Sequence, residues 1–456
     1  MVTERSLALG TETLPKAIRQ KRYAFASAYF GTLLEYYDFF VYSLLATIAI
    51  GHLFFTGASE PVALLASYAT LATGYVARPI GAIVISSVGD RIGRKVALII
   101  SVVIMGIASI LVGLLPTFAT IGFWAPVILV ILRLVQGFAA GAEFGGGVLM
   151  ALEYTTSKRR GVAGVAPQVG MFSGILLANL ALLIATLLPA GQFLSWGWRV
   201  PFLITGVLLA ITMWLRLKVD ETPVFEQARK DKRLAKSPVL GLFRYSGRSL
   251  ATVIAAALVT CTTSSLILII VPSYGIKMGL TKTQALTVTL VGLVFWIPLV
   301  VFFAYVSDRL GRKKVGRVGV IMIPFATAGV FMALRTGSLP LAIAGALLPI
   351  LAHSVAYGPL SAWMAEAFPT RYRYGGVAIS WQLASIGAGF FPIIATALLE
   401  AFNGTMQYYA IVIYMLILTV ISLVAFAFAR ETAKASWDEL EMDDLQIKIS
   451  KQKTMD

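Results

Sequence analysis

The sequence predicts an all-α membrane protein of twelve transmembrane helices in two pseudo-symmetric six-helix halves, and three observations carry that prediction. Of 456 residues, 58% are hydrophobic, roughly 264, close to the 252 or so that twelve spans of about 21 residues need. Charged residues make up only 13%, about half the share of a soluble domain, and they fall in bursts between long apolar runs. A loop motif also occurs twice, 218 positions apart. The apolar runs are continuous and longer than about 18 residues. That excludes an ordinary soluble domain and a membrane β-barrel, whose strands alternate over about ten residues.

In order, the spans are read at 24–50, 62–88, 96–115, 124–152, 162–188, 199–215, 249–274, 284–306, 317–334, 341–364, 374–399 and 407–429. This divides the chain into a tail over 1–23, a first half over 24–215, a charged linker over 216–248, a second half over 249–429 and a tail over 430–456. The first twenty residues, with Glu4, Arg5, Glu12, Lys16 and Arg19, lack the apolar core of a cleaved signal, so the N-terminus is expected to stay. Beyond 430, Leu440, Leu445 and Ile449 are too few for a coiled coil, and that tail is expected to be mostly disordered with at most a short amphipathic turn. The single Cys261 allows no intrachain disulfide.

The net charge of +16 would suit nucleic acid or an orientation signal, and its distribution decides. Of 38 Lys and Arg, all but Arg78, Arg133, Arg199, Lys277, Lys282 and Arg335 lie in the tails, the linker and the loops after spans 2, 4, 8 and 10. Those segments share one side of a twelve-span chain, so by the positive-inside rule both termini are expected in the cytoplasm. Nucleic acid is not expected as a partner.

The repeat is explicit. Gly89-Asp90-Arg91-Ile92-Gly93-Arg94-Lys95 after span 2 returns as Ser307-Asp308-Arg309-Leu310-Gly311-Arg312-Lys313 after span 8, and Glu153, Arg160 and Gly161 after span 4 match Glu366, Arg373 and Gly375 after span 10. Two copies of six spans are the layout of a secondary transporter with its site between the halves. Gly93 and Gly311 allow tight turns, and the flanking charges can pair or cap helix ends where water begins.

On these residues the sequence resembles the major facilitator superfamily, whose Asp-Arg-x-Gly-Arg-Lys loop occurs in both halves and whose Arg-x-x-Gln-Gly is Arg133-Leu134-Val135-Gln136-Gly137. Within it, the chain looks like the metabolite:proton symporters, which include bacterial shikimate, 2-oxoglutarate, citrate and proline/betaine carriers. Glu35-Tyr36-Tyr37-Asp38-Phe39, Arg78-Pro79-Ile80-Gly81, Gly141-Ala142-Glu143-Phe144-Gly145-Gly146 and Ser195-Trp196-Gly197-Trp198-Arg199 carry that closer likeness. Two departures from the pattern are visible. Ser86 and Ala304 replace the first Gly of the loop signature, and Ala166 replaces the Gly before Pro167 in the antiporter signature, which disfavours antiport. The resemblance implies a bacterial inner-membrane location.

A gate is expected on the basic side from Asp90, Arg91, Gly93, Arg94, Glu153 and Arg160 with Asp308, Arg309, Gly311, Arg312, Glu366 and Arg371, closing the outward-facing state. The alternative is that these residues only fix topology. Span 4 carries Gly137, Gly141, Gly145, Gly146 and Gly147, a bare face that suits either a moving contact or static packing.

Ionisable residues inside the hydrocarbon mark pathways or pairs, and here they are Glu35, Asp38, Arg78, Arg133 and Glu143. At 1.5 Å per residue, Glu35, Arg78 and Glu143 each lie roughly 15–18 Å from the basic side, with Asp38 and Arg133 further in. Three carboxylates facing two guanidinium groups would leave one carboxylate in need of a proton. Glu35, Asp38 and Glu143 are therefore the expected proton-coupling residues, with Asp38 or Glu35 as the carrier. Arg133 is the expected ligand for a substrate carboxylate, with Arg78 second, because a guanidinium grips a carboxylate with two parallel bonds. Glu143 with Arg78 is the pair expected to be structural, and all five residues could instead form a static network. Tyr42 and Gln136 share faces with Asp38 and Arg133, and Gln168, Tyr357, Trp381 and Gln382 are placed on the cavity wall. His353 is read as a packing residue with proton relay as the alternative, and Pro272, Pro298 and Pro359 as bends.

Walker-type Gly-Lys-Ser/Thr and spaced Cys/His ligands are absent, so neither an enzyme nor a metal or cofactor is expected. The reading is a monomeric proton symporter that takes up a small organic acid by alternating access, shikimate-like or dicarboxylate first. A zwitterionic osmolyte such as proline or betaine is the second cargo, and a transport-inactive sensor is the third reading. A channel is disfavoured because no charged ring repeats.

Overall fold

The computed structural model describes residues 14–57, 59–232, 238–402 and 407–441, and among these it contains helices and loops without a strand. The first half is built from α1 (Leu14–Leu45), α2 (Glu60–Arg91), α3 (Arg94–Leu114), α4 (Trp124–Ala140), α5 (Glu143–Glu153), α6 (Ala166–Ala185) and α7 (Val200–Lys218). A short α8 (Pro223–Lys230) leads to α9 (Pro238–Ser265), α10 (Val271–Lys277), α11 (Lys282–Leu310), α12 (Arg312–Leu334), α13 (Leu339–Tyr357), α14 (Leu360–Glu366), α15 (Arg373–Ala401) and α16 (Gln407–Phe428). Eleven helical stretches are long and apolar enough to cross a membrane, and the bent stretch from α1 to Phe54 makes a twelfth.

The duplication reaches details that the loop motif does not show. The first span of each half contains a π-helical turn at an equivalent place, Ala46–Ile50 after α1 and Leu266–Ile270 between α9 and α10. Such a turn offsets the hydrogen-bond ladder and bends the helix without a proline. Spans 4 and 10 are broken as well, at Gly141-Ala142 between α4 and α5 and at Gly358-Pro359 between α13 and α14. Pro359 supplies the break in the second case because it has no N–H to continue the ladder.

The glycine face of span 4 divides between the two alternatives. A Cβ on Gly137 or Gly141 would run into the α2 backbone at Gly74 and at Arg78 to Ala82, which is fixed packing inside one half. A Cβ on Gly145 or Gly146 would meet Ala378 or Tyr374 of α15, so those two glycines face the opposite half. Helix α15 also packs on α2, and α11 packs on α6, which makes these the main contacts between halves.

The segments read as tails and linker contain ordered structure. Helix α1 begins at Leu14, α7 runs on to Lys218, and α8 and α9 order much of the expected linker, with 233–237 outside the described residues. The tail after 430 is not structureless as far as Glu441. Glu431 accepts backbone N–H bonds from Arg312 and Lys313 at 2.8 and 3.1 Å, and Trp437 packs between two arginines of the basic face. The rest of that tail, and residues 1–13, lie outside the described residues.

Candidate functional site

Three ion pairs climb α1 turn by turn. Asp38 pairs with Arg133 of α4 at 3.5 Å, Glu35 pairs with Arg78 of α2 at 3.2 Å, and Glu143 of α5 pairs with Arg216 of α7 beside Gly31. Residues 38, 35 and 31 are successive turns of one helix, so neighbouring pairs are about 4.5–6 Å apart along it. All six charged side chains are buried. The third pair corrects the sequence reading in two ways. Arg78 holds Glu35 rather than Glu143, and Arg216, assigned to the linker, turns out to be a buried partner at the end of α7. Three carboxylates therefore face three guanidinium groups.

The pairs differ in how fully they are satisfied. Arg216 also donates to the Leu98 carbonyl, and the Ser101 hydroxyl, whose proton is shared between the Ala139 carbonyl and Glu143, lies 3.0 Å from Glu143, so this pair is pinned from three helices. A Cβ on Gly31 would overlap both partners, which shows how tightly α1 closes over them. Around Asp38 the arrangement is looser. Arg133 Nη1 donates to Gln136 Oε1 at 2.7 Å, and Gln136 Nε2 donates to Asp38 at 2.9 Å and to Ser109 at 2.8 Å. Arg133 Nε and Nη2 are buried and find no partner among the described residues, and neither does Glu35 Oε2. The guanidinium lies 3.7 Å over the Tyr42 ring, and Phe39 lies against both Arg78 and Arg133 at 4.6 and 5.9 Å. Phe39, Gly74, Met105, Gly137 and Ala140 complete a narrow cleft around these charges.

The four residues placed on the cavity wall are engaged between the halves. Gln168 Nε2 donates to the Tyr357 carbonyl at 2.8 Å and to Ser361 at 2.7 Å, and Gln382 Nε2 donates to the Gly141 carbonyl at 2.9 Å. Trp381 stacks on Phe144 with centroids 4.2 Å apart, and Trp296 stacks on Phe172 at 4.4 Å. Trp296 Nε1 donates to His353 Nδ1 at 3.0 Å, which makes His353 a satisfied packing residue.

At the basic face the halves interlock by pseudo-symmetric contacts. Asp90 accepts the backbone N–H of Tyr374 and Gly375 at 3.3 and 3.0 Å, and Asp308 accepts those of Gly161 and Val162 at 2.8 and 3.1 Å. Each carboxylate thus caps a helix start in the other half, where the backbone donors have no helical partner. Arg94 sits 3.4 Å from Asp90 and donates to the Thr370 carbonyl at 3.0 Å, while Arg312 pairs with Asp308 at 2.7 Å. Glu153 pairs with Arg373 at 3.4 Å, and Glu366 pairs with Arg160 at 3.5 Å. Gly93 and Gly311 take φ of +138° and +104°, the left-handed region that only glycine enters cheaply.

Three expected gate residues are corrected. Arg91 and Arg309 point outward and are exposed. Arg371 lies over the Tyr372 ring, because the 3₁₀ turn at Thr370–Tyr372 rotates it away and starts α15 at Arg373, which takes the place facing Glu153. Sequence reading missed Glu221-Thr222 and Glu431-Thr432, a repeated pair after the sixth and twelfth spans. Glu221 accepts the N–H of Arg94 and Lys95 at 3.0 and 3.1 Å, as Glu431 does at Arg312 and Lys313, and Thr222 and Thr432 donate to Glu153 and Glu366. Burial raises the Glu221 carboxyl, against the lowering effect of the Thr222 N–H and Arg94. The recurring Glu-Thr was a readable signal. Trp437, 3.7 Å over Arg160 and 4.0 Å over Arg373, carried none.

The sequence profile of the Major Facilitator Superfamily matches residues 28–381 and 297–452. The chain belongs to that family. It is 34% identical to the shikimate transporter of Escherichia coli (strain K12) over 93% of this chain and 97% of that one. It is 30% identical to the proline/betaine transporter of the same strain, over 90% and 84% of the two chains. The fold matches the MFS proton:xylose symporter XylE bound to 6-bromo-6-deoxy-D-glucose with a TM-score of 0.78, at 18% identity, over 93% of this chain and 99% of that one. These relatives support the resemblance to metabolite:proton symporters. The superfamily member is a multi-pass membrane transporter and not an enzyme.

Proposed function

We propose that the chain is a proton-coupled symporter that imports a small carboxylated metabolite across a bacterial inner membrane by alternating access. The basic face is the cytoplasmic one, both termini lie there, and the segments 24–215 and 249–429 rock against each other. The observation that carries the reading is the half-used Arg133 guanidinium, whose Nη1 is bound to Asp38 and Gln136 while its buried Nε and Nη2 edge is without a partner. That edge is the one that grips a carboxylate through two parallel hydrogen bonds. A substrate carboxylate drawn to it competes with Asp38 for the same cation. Asp38, freed in a dry site, then needs a proton before the site can close, and Glu35 one turn away is the second acceptor. Substrate and proton are thereby moved together. Arg78 stays with Glu35 as a reserve ligand, and Glu143 with Arg216 holds the helices rather than the proton. One chain contains the whole arrangement, so the unit of transport is the monomer.

The zwitterion reading keeps its place because a proline/betaine transporter is among the relatives. It would need an open aromatic surface for a cationic head, and Trp381 and Trp296 have faces covered by Phe144 and Phe172. The deciding experiment follows internal pH in proteoliposomes loaded with a trapped dye while shikimate, 2-oxoglutarate, citrate, an aromatic acid, proline and betaine are added in turn. Acidification with an organic acid that vanishes in Arg133→Gln is the expected result. Acidification only with proline or betaine overturns the carboxylate reading, and substrate uptake without any acidification overturns proton coupling.

A further inference from the structure

Two glutamines, one on α6 and one on α15, each cross from their own half to a helix break in the other. Span 4 is interrupted at Gly141-Ala142, and the carbonyls around that break lack the continuous ladder of an intact helix. Gly141 N–H is shared by the Gly137 and Phe138 carbonyls at 3.2 and 3.3 Å, and Ser101 Oγ donates to the Ala139 carbonyl at 2.8 Å. The Gly141 carbonyl is taken by Gln382 of α15 at 2.9 Å. Span 10 repeats the situation at Gly358-Pro359. Gly358 N–H serves the Ser354 carbonyl at 3.0 Å, Pro359 has no N–H to offer the Val355 carbonyl, and the Tyr357 carbonyl beside the break is taken by Gln168 of α6 at 2.8 Å. Both glutamines are buried. In lipid, a broken helix is tolerated only where something else satisfies the freed backbone groups.

We propose that Gln168 and Gln382 are a matched pair of positioning residues that hold the transporter closed at its basic face by capping the helix breaks across the interface. The geometry explains why the bonds report on one state. Gln168 belongs to the half that contains the span 4 break and reaches the break in span 10, while Gln382 does the reverse. Any rocking that parts α15 from α5 and α6 from α13 must break both bonds together and leave the two carbonyls without these donors. A direct bond within a half would survive the motion. The wedge is completed by Trp381 on Phe144, next to Gln382 in the chain, and by the second donor bond from Gln168 to Ser361. The inference concerns the closed state of the empty protein and does not depend on which substrate is carried.

The test uses the full chain with Cys261→Ser, spin-labelled through Lys158→Cys and Lys314→Cys, which are exposed on the basic side of the two halves. Distances are measured by pulsed electron spin resonance without substrate. Gln168→Leu and Gln382→Leu are each expected to raise the ratio of long to short distances, roughly threefold to tenfold per net buried hydrogen bond, with the larger effect at Gln168, which has a second bond to Ser361, and together by about the product. Asn179→Leu serves as control, since Asn179 donates to Ile175 within its own helix at 2.8 Å and its loss should leave the ratio alone. If a Leu variant fails to purify as a single species, Gln168→Met and Gln382→Met replace it. An unchanged ratio in folded variants, or an equal shift in the control, overturns the proposal.

Discussion

Asp90→Asn tests the interlock at the basic face most directly. The Asp90 carboxylate accepts two backbone N–H bonds from the other half, at 3.3 and 3.0 Å, while its partner Arg94 at 3.4 Å belongs to its own half. Opening the basic face therefore breaks the two backbone bonds and keeps the ion pair. Hydrogen bonds to a charged acceptor are worth about 1.5–3 kcal/mol each, and those between neutral groups about half that. Asparagine retains one acceptor oxygen, loses the charge, and turns an NH₂ group toward donors. The expected loss to the closed state is about 2 kcal/mol, which is roughly 30-fold in the ratio of open to closed molecules. Hydrogen exchange of the Tyr374 and Gly375 amides should accelerate by about that factor, since both are shielded only while Asp90 holds them. Substrate turnover should fall in parallel, because a transporter biased to one face stalls in its cycle. Unchanged exchange at these amides together with unchanged turnover, in protein expressed at the normal level, would refute the interlock.

Other perturbations address the remaining parts. Glu143→Gln and Arg216→Gln should each destabilise the fold by about 3–5 kcal/mol in a thermal unfolding assay in detergent, because each strands a buried charge, and the double variant should cost clearly less than their sum. Asp38→Asn should retain exchange of substrate across the membrane while losing uptake against a gradient, and persistent accumulation would remove Asp38 from the proton path. Gly146→Ala should impair closure, as its Cβ would meet the Tyr374 hydroxyl end and Leu98, and Tyr374→Ala should relieve part of the defect in a transport assay. Trp437→Ala removes an aromatic surface lying over two arginines and should speed amide exchange over 370–372, by a factor corresponding to about 1 kcal/mol.

Much of this was legible in sequence, and the parts that were not share a cause. The twelve spans, the duplication, the shared depth of Asp38 and Arg133 and the matched positions of Asp90 and Asp308 all rest on residues set apart by an apolar background or by a repeat. Arg216 was misread because it sits at a span end, where an arginine normally reaches for water; only the fold shows that α7 brings it under α1 to Glu143. Arg371 was preferred to Arg373 because spacing could not show how the 3₁₀ turn rotates each side chain.

Sequence by itself determined that this chain is a duplicated helical membrane transporter with charges stationed inside the membrane, since hydropathy and repeats are one-dimensional and survive in any conformation. Which carboxylate holds which guanidinium, which glutamine crosses to which broken helix, and which face is closed were decided by tertiary structure alone. Those contacts join residues up to 285 positions apart, and their geometry depends on helix rotation and tilt that no local pattern encodes.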